Sequence, residues 1–220
     1  MCGLRFLTGK RANGQMRFLL LRFFCCDFTY FQVQFTDEAH FEVQGQRSQF
    51  VRRSKGEPLR PGHINQRPKH PDKVMFWGMF GFDGPGPLEQ VTGMMNSDQY
   101  IGVLQRNVIP EHMRTAFTFQ QDLAPCHTSK KVQQFMKTKK LKVLKWPGNS
   151  PDLNPIENLW AIIKKRLRKL DCSTKPKLIS AVFQVWNADA ELRNMCKKLV
   201  ESMPNRVQEV IKCRGGHTKY

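Results

Sequence analysis

The sequence lacks a zinc-binding cysteine pattern and a membrane-spanning apolar run, and it has few acidic residues for its length. The seven cysteines are scattered, and none forms a C-x-x-C pair, which argues against a zinc ribbon. Their odd number argues against a disulfide framework and favours free thiols in a reducing compartment. The apolar stretch at residues 18–26 is short and interrupted by Arg22, whereas a membrane span needs about 20 apolar residues.

The shortage of acidic residues leaves a strong positive charge. Eighteen Asp and Glu face 36 Lys and Arg, so the net charge is +18 over 220 residues. Such an excess opposes compact folding unless an anionic partner is usual, and nucleic acid is the commonest partner of this kind. An acidic membrane surface is the competing partner, but the sequence shows no amphipathic terminal anchor. The third interpretation is a basic protein that its charge keeps soluble.

The order of the apolar patterns predicts an α/β protein. Basic residues are strewn without a period through residues 1–30, which we interpret as an atypical, disordered leader before a domain at residues 31–220. From Phe31 to Phe35 apolar residues alternate with polar ones, which predicts a strand, and Phe41 with Val43 predicts a second strand of a hairpin. The continuous apolar run at residues 74–80 predicts a strand that is buried on both faces. Strands then alternate with helices, including a predicted strand at residues 141–144, and the last part is helical. This order predicts a mixed central sheet flanked by helices.

Three carboxylates fall at the ends of predicted elements. Asp37 continues the parity of the apolar strand residues, where a carboxylate is costly unless it is paired or binds a metal. Asp122 ends a short strand at residues 117–121, and Glu157 lies in the first turn of the helix that follows WPGNSPDLNP. Mg²⁺ prefers hard oxygen ligands, and two such ions can activate one oxygen and stabilise another. The three side chains therefore suggest a metal-dependent phosphoryl-transfer site.

Glu157 also has a simpler interpretation. With Asn154 as the N-cap and Pro155 at the first helical position, Glu157 completes a capping box. Against this, Glu157 lies at the edge of the buried stripe and leads a basic helix face. We expect that face to bind DNA phosphates, although a solvated face or a nuclear-import signal has the same pattern. Its basic members are Lys164, Lys165 and Arg168.

Several longer motifs make the sequence similar to a known family. FTDEAHF, QQDLAPCHTSK, WPGNSPDLNPIENLW and ESMPNRVQEVIKCRGGHTKY resemble the catalytic domain of Tc-one/mariner superfamily transposases, and the 34 residues between Asp122 and Glu157 match the family's spacing. The resemblance covers residues 34–220. It implies an RNase H-like fold and a catalytic, metal-binding triad of Asp37, Asp122 and Glu157.

The same resemblance implies cofactors, partners and a location. Two Mg²⁺ or Mn²⁺ ions would serve DNA cleavage at transposon ends and joining to a TA target. A homodimer would act on paired transposon ends in the nucleus, and no membrane partner is expected. Such transposases recognise DNA through N-terminal helix-turn-helix modules. One module needs about 50 residues, so residues 1–30 are too short to supply it. We therefore expect an N-terminally truncated transposase, either an active nuclease and strand transferase or an inactive DNA-binding relic.

Four residues near the proposed site need separate interpretation. Glu38 points to the opposite strand face from Asp37, so we expect it to be exposed or to support the site from outside. Asp152 lies in the turn before the helix and is expected to order that turn. His127 is a candidate for supporting the metal ligands. Leu123 stands where the family usually has Asn, a departure that removes no metal ligand.

Overall fold

The computed structural model describes residues 30–43, 72–148 and 150–220. The predicted leader lies outside the described residues, apart from Tyr30. A 3₁₀ turn at Tyr30–Gln32 precedes the first strand. The predicted boundary at residue 31 therefore stays a prediction.

A mixed sheet of four strands forms the centre of the described part. The strands are β1 (Val33–Glu42), β2 (Lys73–Gly81), β3 (Gly84–Val91) and β4 (Thr118–Gln120). Their order in the sheet is β3-β2-β1-β4, with β1 antiparallel to β2 and parallel to β4. The predicted mixed sheet is confirmed.

Helices and the loops between them follow the sheet, and no helix among the described residues is long and apolar enough to cross a membrane. Between β3 and β4 the chain is helical, with a π-helical stretch at Leu104–Val108 joining two α-helices. A 3₁₀ turn at Pro151–Leu153 precedes the longer C-terminal helices. In chain order the α-helices are α1 (Ser97–Val103), α2 (Ile109–Arg114), α3 (Pro125–Thr128), α4 (Lys130–Thr138), α5 (Ile156–Leu167), α6 (Lys175–Ala188), α7 (Ala190–Glu201) and α8 (Met203–Lys212).

The helices pack on both faces of the sheet. Phe76 and Phe80 of β2 join the apolar cluster on the side of α5 to α8, whereas Trp77 and Met79 join the cluster on the side of α1 and α4. Strand β2 is therefore buried on both faces, as its continuous apolar run predicts.

Two sequence predictions about strands are wrong. The predicted hairpin at Phe41 does not form, because β1 continues through Ala39 and Phe41, both buried, as one ten-residue strand. The predicted strand at residues 141–144 is reduced to a single bridge between Phe119 and Val143. Strand β3 follows β2 directly, although its Gly and Pro residues are typical of a loop. Proline is tolerated there because β3 lies at the sheet edge.

Gly78 sets how closely α5 approaches the sheet. It pairs with Asp37 across the β1–β2 ladder, and a Cβ atom at this position would lie 2.5 Å from Cη2 of Trp160. Trp160 stacks on Trp186 with ring centroids 5.2 Å apart. The missing side chain therefore lets the first turns of α5 lie against the strand that carries Asp37.

Candidate active site

The three predicted carboxylates lie on elements that meet at one edge of the sheet. The parallel β1–β4 register pairs Phe35 with Gln120. Asp37 and Asp122 each lie two residues beyond that pair, so they reach the same edge. Glu157 is the second residue of α5, which packs on β1 through the contact of Trp160 with Phe41.

Asp37 and Glu157 form a close carboxylate pair. Burial raises the pKa of Asp37, and the nearby charges of Glu157 and Glu38 raise it further, to about 8. A hydrogen bond between Asp37 and Glu157 adds to this shift, because the bond requires a proton on one of the two groups. The pair therefore holds a proton at neutral pH that a cation can replace.

Asp122 turns toward a different partner. Its Oδ1 atom lies 2.5 Å from Nδ1 of His127 and accepts a hydrogen bond of 2.9 Å from the backbone N–H of Ala124. Burial opposes the charge on Asp122, but these bonds outweigh it and hold the pKa of the carboxyl below its ordinary value. Asp122 is therefore ionised and fixed in orientation.

His127 joins Asp122 to Glu38. Its Nε2 atom lies 3.2 Å from Oε1 of Glu38. Burial disfavours the imidazolium, but hydrogen bonds to Asp122 and Glu38 outweigh that cost and raise the pKa of His127 to about 10. At neutral pH both ring nitrogens then carry hydrogen, and each donates to one carboxylate. The imidazolium thereby neutralises part of the negative charge at this edge.

The ring of His127 is held by its neighbours. The Tyr100 ring lies against it at a centroid distance of 3.9 Å, and the Tyr100 hydroxyl donates to Oε1 of Gln121 at 2.7 Å. Nε2 of Gln121 in turn donates to the carbonyl of His127 at 3.4 Å. Burial, together with the charges of Glu38 and Asp122, raises the pKa of Tyr100, so it stays a neutral donor.

Thr36 connects the elements that carry the three carboxylates. Its backbone N–H donates to Oε1 of Gln120 at 3.2 Å, and its hydroxyl donates to the Gln120 carbonyl at 2.7 Å. Its own carbonyl accepts a hydrogen bond of 3.3 Å from Nδ2 of Asn154. Side chains from β4 and from the turn before α5 therefore fix the peptide that leads into Asp37.

This arrangement corrects the predicted capping box. Helix α5 begins after Pro155 without a side-chain cap. The Nδ2 atom of Asn154 donates to the Thr36 carbonyl, and its Oδ1 atom, which a cap would use, accepts no hydrogen bond from the described residues. The backbone N–H of Glu157 donates to the Asn154 carbonyl at 3.2 Å. The side chain of Glu157 is thus left available to Asp37.

The site can supply ligands to a divalent cation, although it does not yet surround one. Among residues 30–43, 72–148 and 150–220, no three His, Cys, Asp or Glu side chains lie close enough together to hold a metal ion. Asp37 and Glu157 nevertheless offer hard oxygen ligands that repel each other, and burial disfavours the charge of Asp37 further. These residues fit Mg²⁺ or Mn²⁺, with Asp122 two residues beyond the end of β4.

The predicted DNA-binding face is exposed. Its side chains project from the last turn and the C-terminal end of α5, the helix whose second residue is Glu157. The ammonium group of Lys164 lies 5.6 Å from the centroid of the Phe41 ring, so the aliphatic part of this side chain covers β1. The exposed members are Lys164, Lys165 and Arg168.

Several residues of the site have no sequence signal of their own. Thr36, Gln120 and Asn154 act through contacts between distant segments, and Tyr100 lies in a helix outside the motifs. Glu38 did have a signal, because its parity on β1 puts it on the face opposite Asp37. That face is where His127 lies.

Comparison with known protein families gives one match over most of the chain. Residues 32–179 match the family model described as DDE superfamily endonuclease. The Tcb2 transposase of a transposable element in Caenorhabditis briggsae is 34% identical over 191 residues, covering 84% of this chain and 69% of that protein.

Solved structures share the fold. The Mos1 strand transfer complex contains a chain that matches with a TM-score of 0.81 at 16% identity, covering 100% of this chain and 66% of that one. The Mos1 transposase catalytic domain with raltegravir and Mg matches with a TM-score of 0.72 at 18% identity, covering 97% and 100%. This chain thus spans about two thirds of the longer relatives. The likeness confirms the predicted RNase H-like fold.

Proposed function

Because the chain belongs to the DDE superfamily endonucleases, as a transposase catalytic domain of the Tc1/mariner type, we propose that it cleaves DNA and joins DNA strands. The catalytic residues are Asp37, Asp122 and Glu157. Its substrates are transposon ends and a TA target, on which two copies of the chain act together in the nucleus.

The observation that carries this proposal is the pairing of Asp37 with Glu157. Asp37 is half-buried and has a pKa of about 8. Such a carboxylate is costly to retain in a structural role, because the folded protein loses stability as the group ionises. A bound cation would remove this cost, because it would take the place of the proton that Asp37 and Glu157 share. Mg²⁺ or Mn²⁺, two ions when bound, would supply activation of the attacking oxygen and stabilisation of the leaving oxygen.

The chain's own residues prepare the site. Asp37 and Glu157 would hold the metal on one side, and Asp122 would complete the ligands from β4. His127 keeps Asp122 ionised and oriented through its 2.5 Å contact. Solvent-facing cations on α5 would hold the phosphates of the DNA beside the carboxylates, a role for Lys164, Lys165 and Arg168.

The test is Mn²⁺-dependent nicking of supercoiled plasmid by wild type and by Asp122→Asn. We expect wild type to nick and the variant to lose about a hundredfold or more of the rate, since several kcal/mol of transition-state stabilisation depend on a bound metal. Asp83→Asn changes an exposed aspartate in the β2–β3 turn and should nick like wild type. Equal nicking by wild type and Asp122→Asn would refute the assignment.

An inactive DNA-binding relic would give a different result. It would bind DNA with a steep dependence on salt, because phosphate contacts release counterions. It would neither nick plasmid nor bind Mn²⁺. Nicking by wild type that depends on Asp122 rejects this alternative.

A further inference from the structure

The C-terminal segment of the chain reaches the turn that precedes α5. Oδ2 of Asp152, in the turn Pro151–Leu153, accepts two hydrogen bonds from Thr218, 3.1 Å from its backbone N–H and 3.0 Å from its hydroxyl. The carbonyl of Asp152 accepts a third bond, of 2.9 Å, from Arg206. Asp152 is only 6% exposed, so these bonds form away from bulk water.

Arg206 is itself fixed on several sides. The residue is 2% exposed. Its Nε donates to Oγ of Ser202 at 2.9 Å, and its guanidinium carbon lies 4.6 Å from the centroid of the Tyr220 ring. The chain returns from α8 to this point through left-handed backbone at Arg214 and Gly215, with φ of 49° and 86°. The final residues therefore follow a defined path back to the turn.

The other side of the turn contacts the catalytic strand. Asn154 donates from its amide to the carbonyl of Thr36, directly before Asp37, and its own carbonyl accepts the N–H of Glu157. A four-residue segment thus links the C-terminus on one side to Asp37 and Glu157 on the other.

We propose that the C-terminal segment at residues 215–220 is a brace for the catalytic turn. It acts through Thr218 on Asp152 and thereby sets the position of Glu157 relative to Asp37. Asp152, Arg206 and Thr218 are positioning residues. The effect on the reaction rests on the proposed function, whereas the effect on the turn does not.

The brace accounts for an acidic residue that is otherwise ambiguous. Asp152 precedes Glu157 by five residues and is a rival candidate for a metal ligand. Its carboxylate instead accepts two hydrogen bonds from one residue in a buried place, and such bonds need an oxygen acceptor but no negative charge. Asparagine supplies that acceptor and alanine does not, so the two substitutions separate bracing from metal binding.

The test compares Asp152→Asn and Asp152→Ala in the full chain. Plasmid nicking is measured over a range of Mn²⁺ and DNA concentrations. We expect Asp152→Ala to need about tenfold more Mn²⁺ for half-maximal rate, with KM for DNA little changed, and Asp152→Asn to stay within about twofold of wild type. If Asp152→Asn is as defective in nicking as Asp152→Ala while its hydrogen exchange at residues 154–159 stays like that of wild type, the carboxylate acts on the metal and the brace is refuted.

Hydrogen exchange at residues 154–159 provides a readout without metal or DNA. Protection of these amides should fall about tenfold in Asp152→Ala relative to wild type, with protection of β2 unchanged. Unchanged protection would overturn the brace even if nicking fell. An inactive wild type would contradict the proposed function, while the exchange result would still decide on the brace.

Further variants guard against a folding defect in Asp152→Ala. Thr218→Val removes the hydroxyl bond to Asp152 and should lower amide protection at residues 154–159, as Asp152→Ala does. Thr218→Ser keeps the hydroxyl and should keep the protection of wild type. Asp171→Ala is the matched control, because Asp171 accepts the N–H of Ser173 in the loop beyond the far end of α5. It should leave exchange at residues 154–159 unchanged, and loss of protection there in the control would refute the specificity of the brace.

Discussion

Replacement of Asp37 by Asn should stabilise the metal-free protein at high pH. The pKa of Asp37 is raised from 3.8 to about 8, through burial first and the charges of Glu157 and Glu38 next. Between these two pH values the folded protein keeps a proton that the unfolded chain has lost. The stability of wild type therefore falls as the pH rises toward 8. Asparagine stays neutral and can still donate a hydrogen bond to Glu157.

The size of the effect follows from the same shift. One pKa unit corresponds to about 1.4 kcal/mol, so the full shift sets a ceiling of about 6 kcal/mol. Glu157 is exposed and can turn toward water when both groups are charged. We therefore expect about 2 kcal/mol of stabilisation by Asp37→Asn at pH 9, and close to none at pH 4.

Urea unfolding in EDTA at pH 4, 7 and 9 measures this difference. The free energy of unfolding of Asp37→Asn should exceed that of wild type by a growing amount as the pH rises. Asp83→Asn, at an exposed turn, should have the free energy of unfolding of wild type at each pH. Added Mn²⁺ should reverse the order at pH 9, because only wild type keeps the full ligand set. An Asp37→Asn protein that is no more stable than wild type at pH 9 in EDTA would refute the reasoning.

Three further changes test the packing and charge around the site. His127→Ala should cost about 1–3 kcal/mol near pH 6.5 by urea unfolding. The cost should become smaller above pH 10, where wild-type His127 loses its proton and its raised pKa no longer stabilises the fold, and only the lost packing against Tyr100 remains. Gly78→Ala should cost about 3 kcal/mol in the same assay, because its Cβ would lie 2.5 Å from Trp160. Alanine at each basic position of α5 should weaken DNA binding and lower the salt slope by about 0.9 in titrations at several salt concentrations. These positions are Lys164, Lys165 and Arg168.

Controls for these changes come from the same chain. Gly102→Ala adds a methyl group that meets only the flexible end of Arg106, so it should be neutral or mildly stabilising in helix α1. Lys212→Ala removes a lysine paired with Glu209 on α8 and should leave the salt slope unchanged. A cost of His127→Ala that is equal at pH 6.5 and pH 10.5 would contradict its role as an imidazolium.

Much of the fold was predictable from apolar periodicity, because strand and helix patterns are set by residues that are close in sequence. The alternation from Phe31 onward predicted β1 and the inward parity of Asp37, and the continuous apolar run predicted β2. Strand β3 was missed because Gly84 and Pro85 are typical of a turn. Only its place at the sheet edge makes proline acceptable, and that place is set by the other strands.

The contacts within the site depend on distant segments, which sequence patterns do not weigh. The capping box at Asn154 was a sound local prediction, yet the amide donates to Thr36, 118 residues away in sequence. His127 lies 89 residues from Glu38, and nothing in either motif predicts that they meet. The sequence could nominate Asp37, Asp122 and Glu157, but the hydrogen bonds that orient them required the structure.

Asp37 and Glu157 are proposed to bind a divalent metal in place of a proton. Calorimetric titration of Mn²⁺ into metal-free protein at pH 7, in two buffers of different ionisation enthalpy, measures binding and proton release together. We expect wild type to bind Mn²⁺ with release of about one proton, since Asp37 with a pKa of about 8 is protonated at pH 7. We expect Asp37→Asn to bind much more weakly. Binding that is absent in wild type, or unchanged in Asp37→Asn, would contradict a metal site at this carboxylate pair.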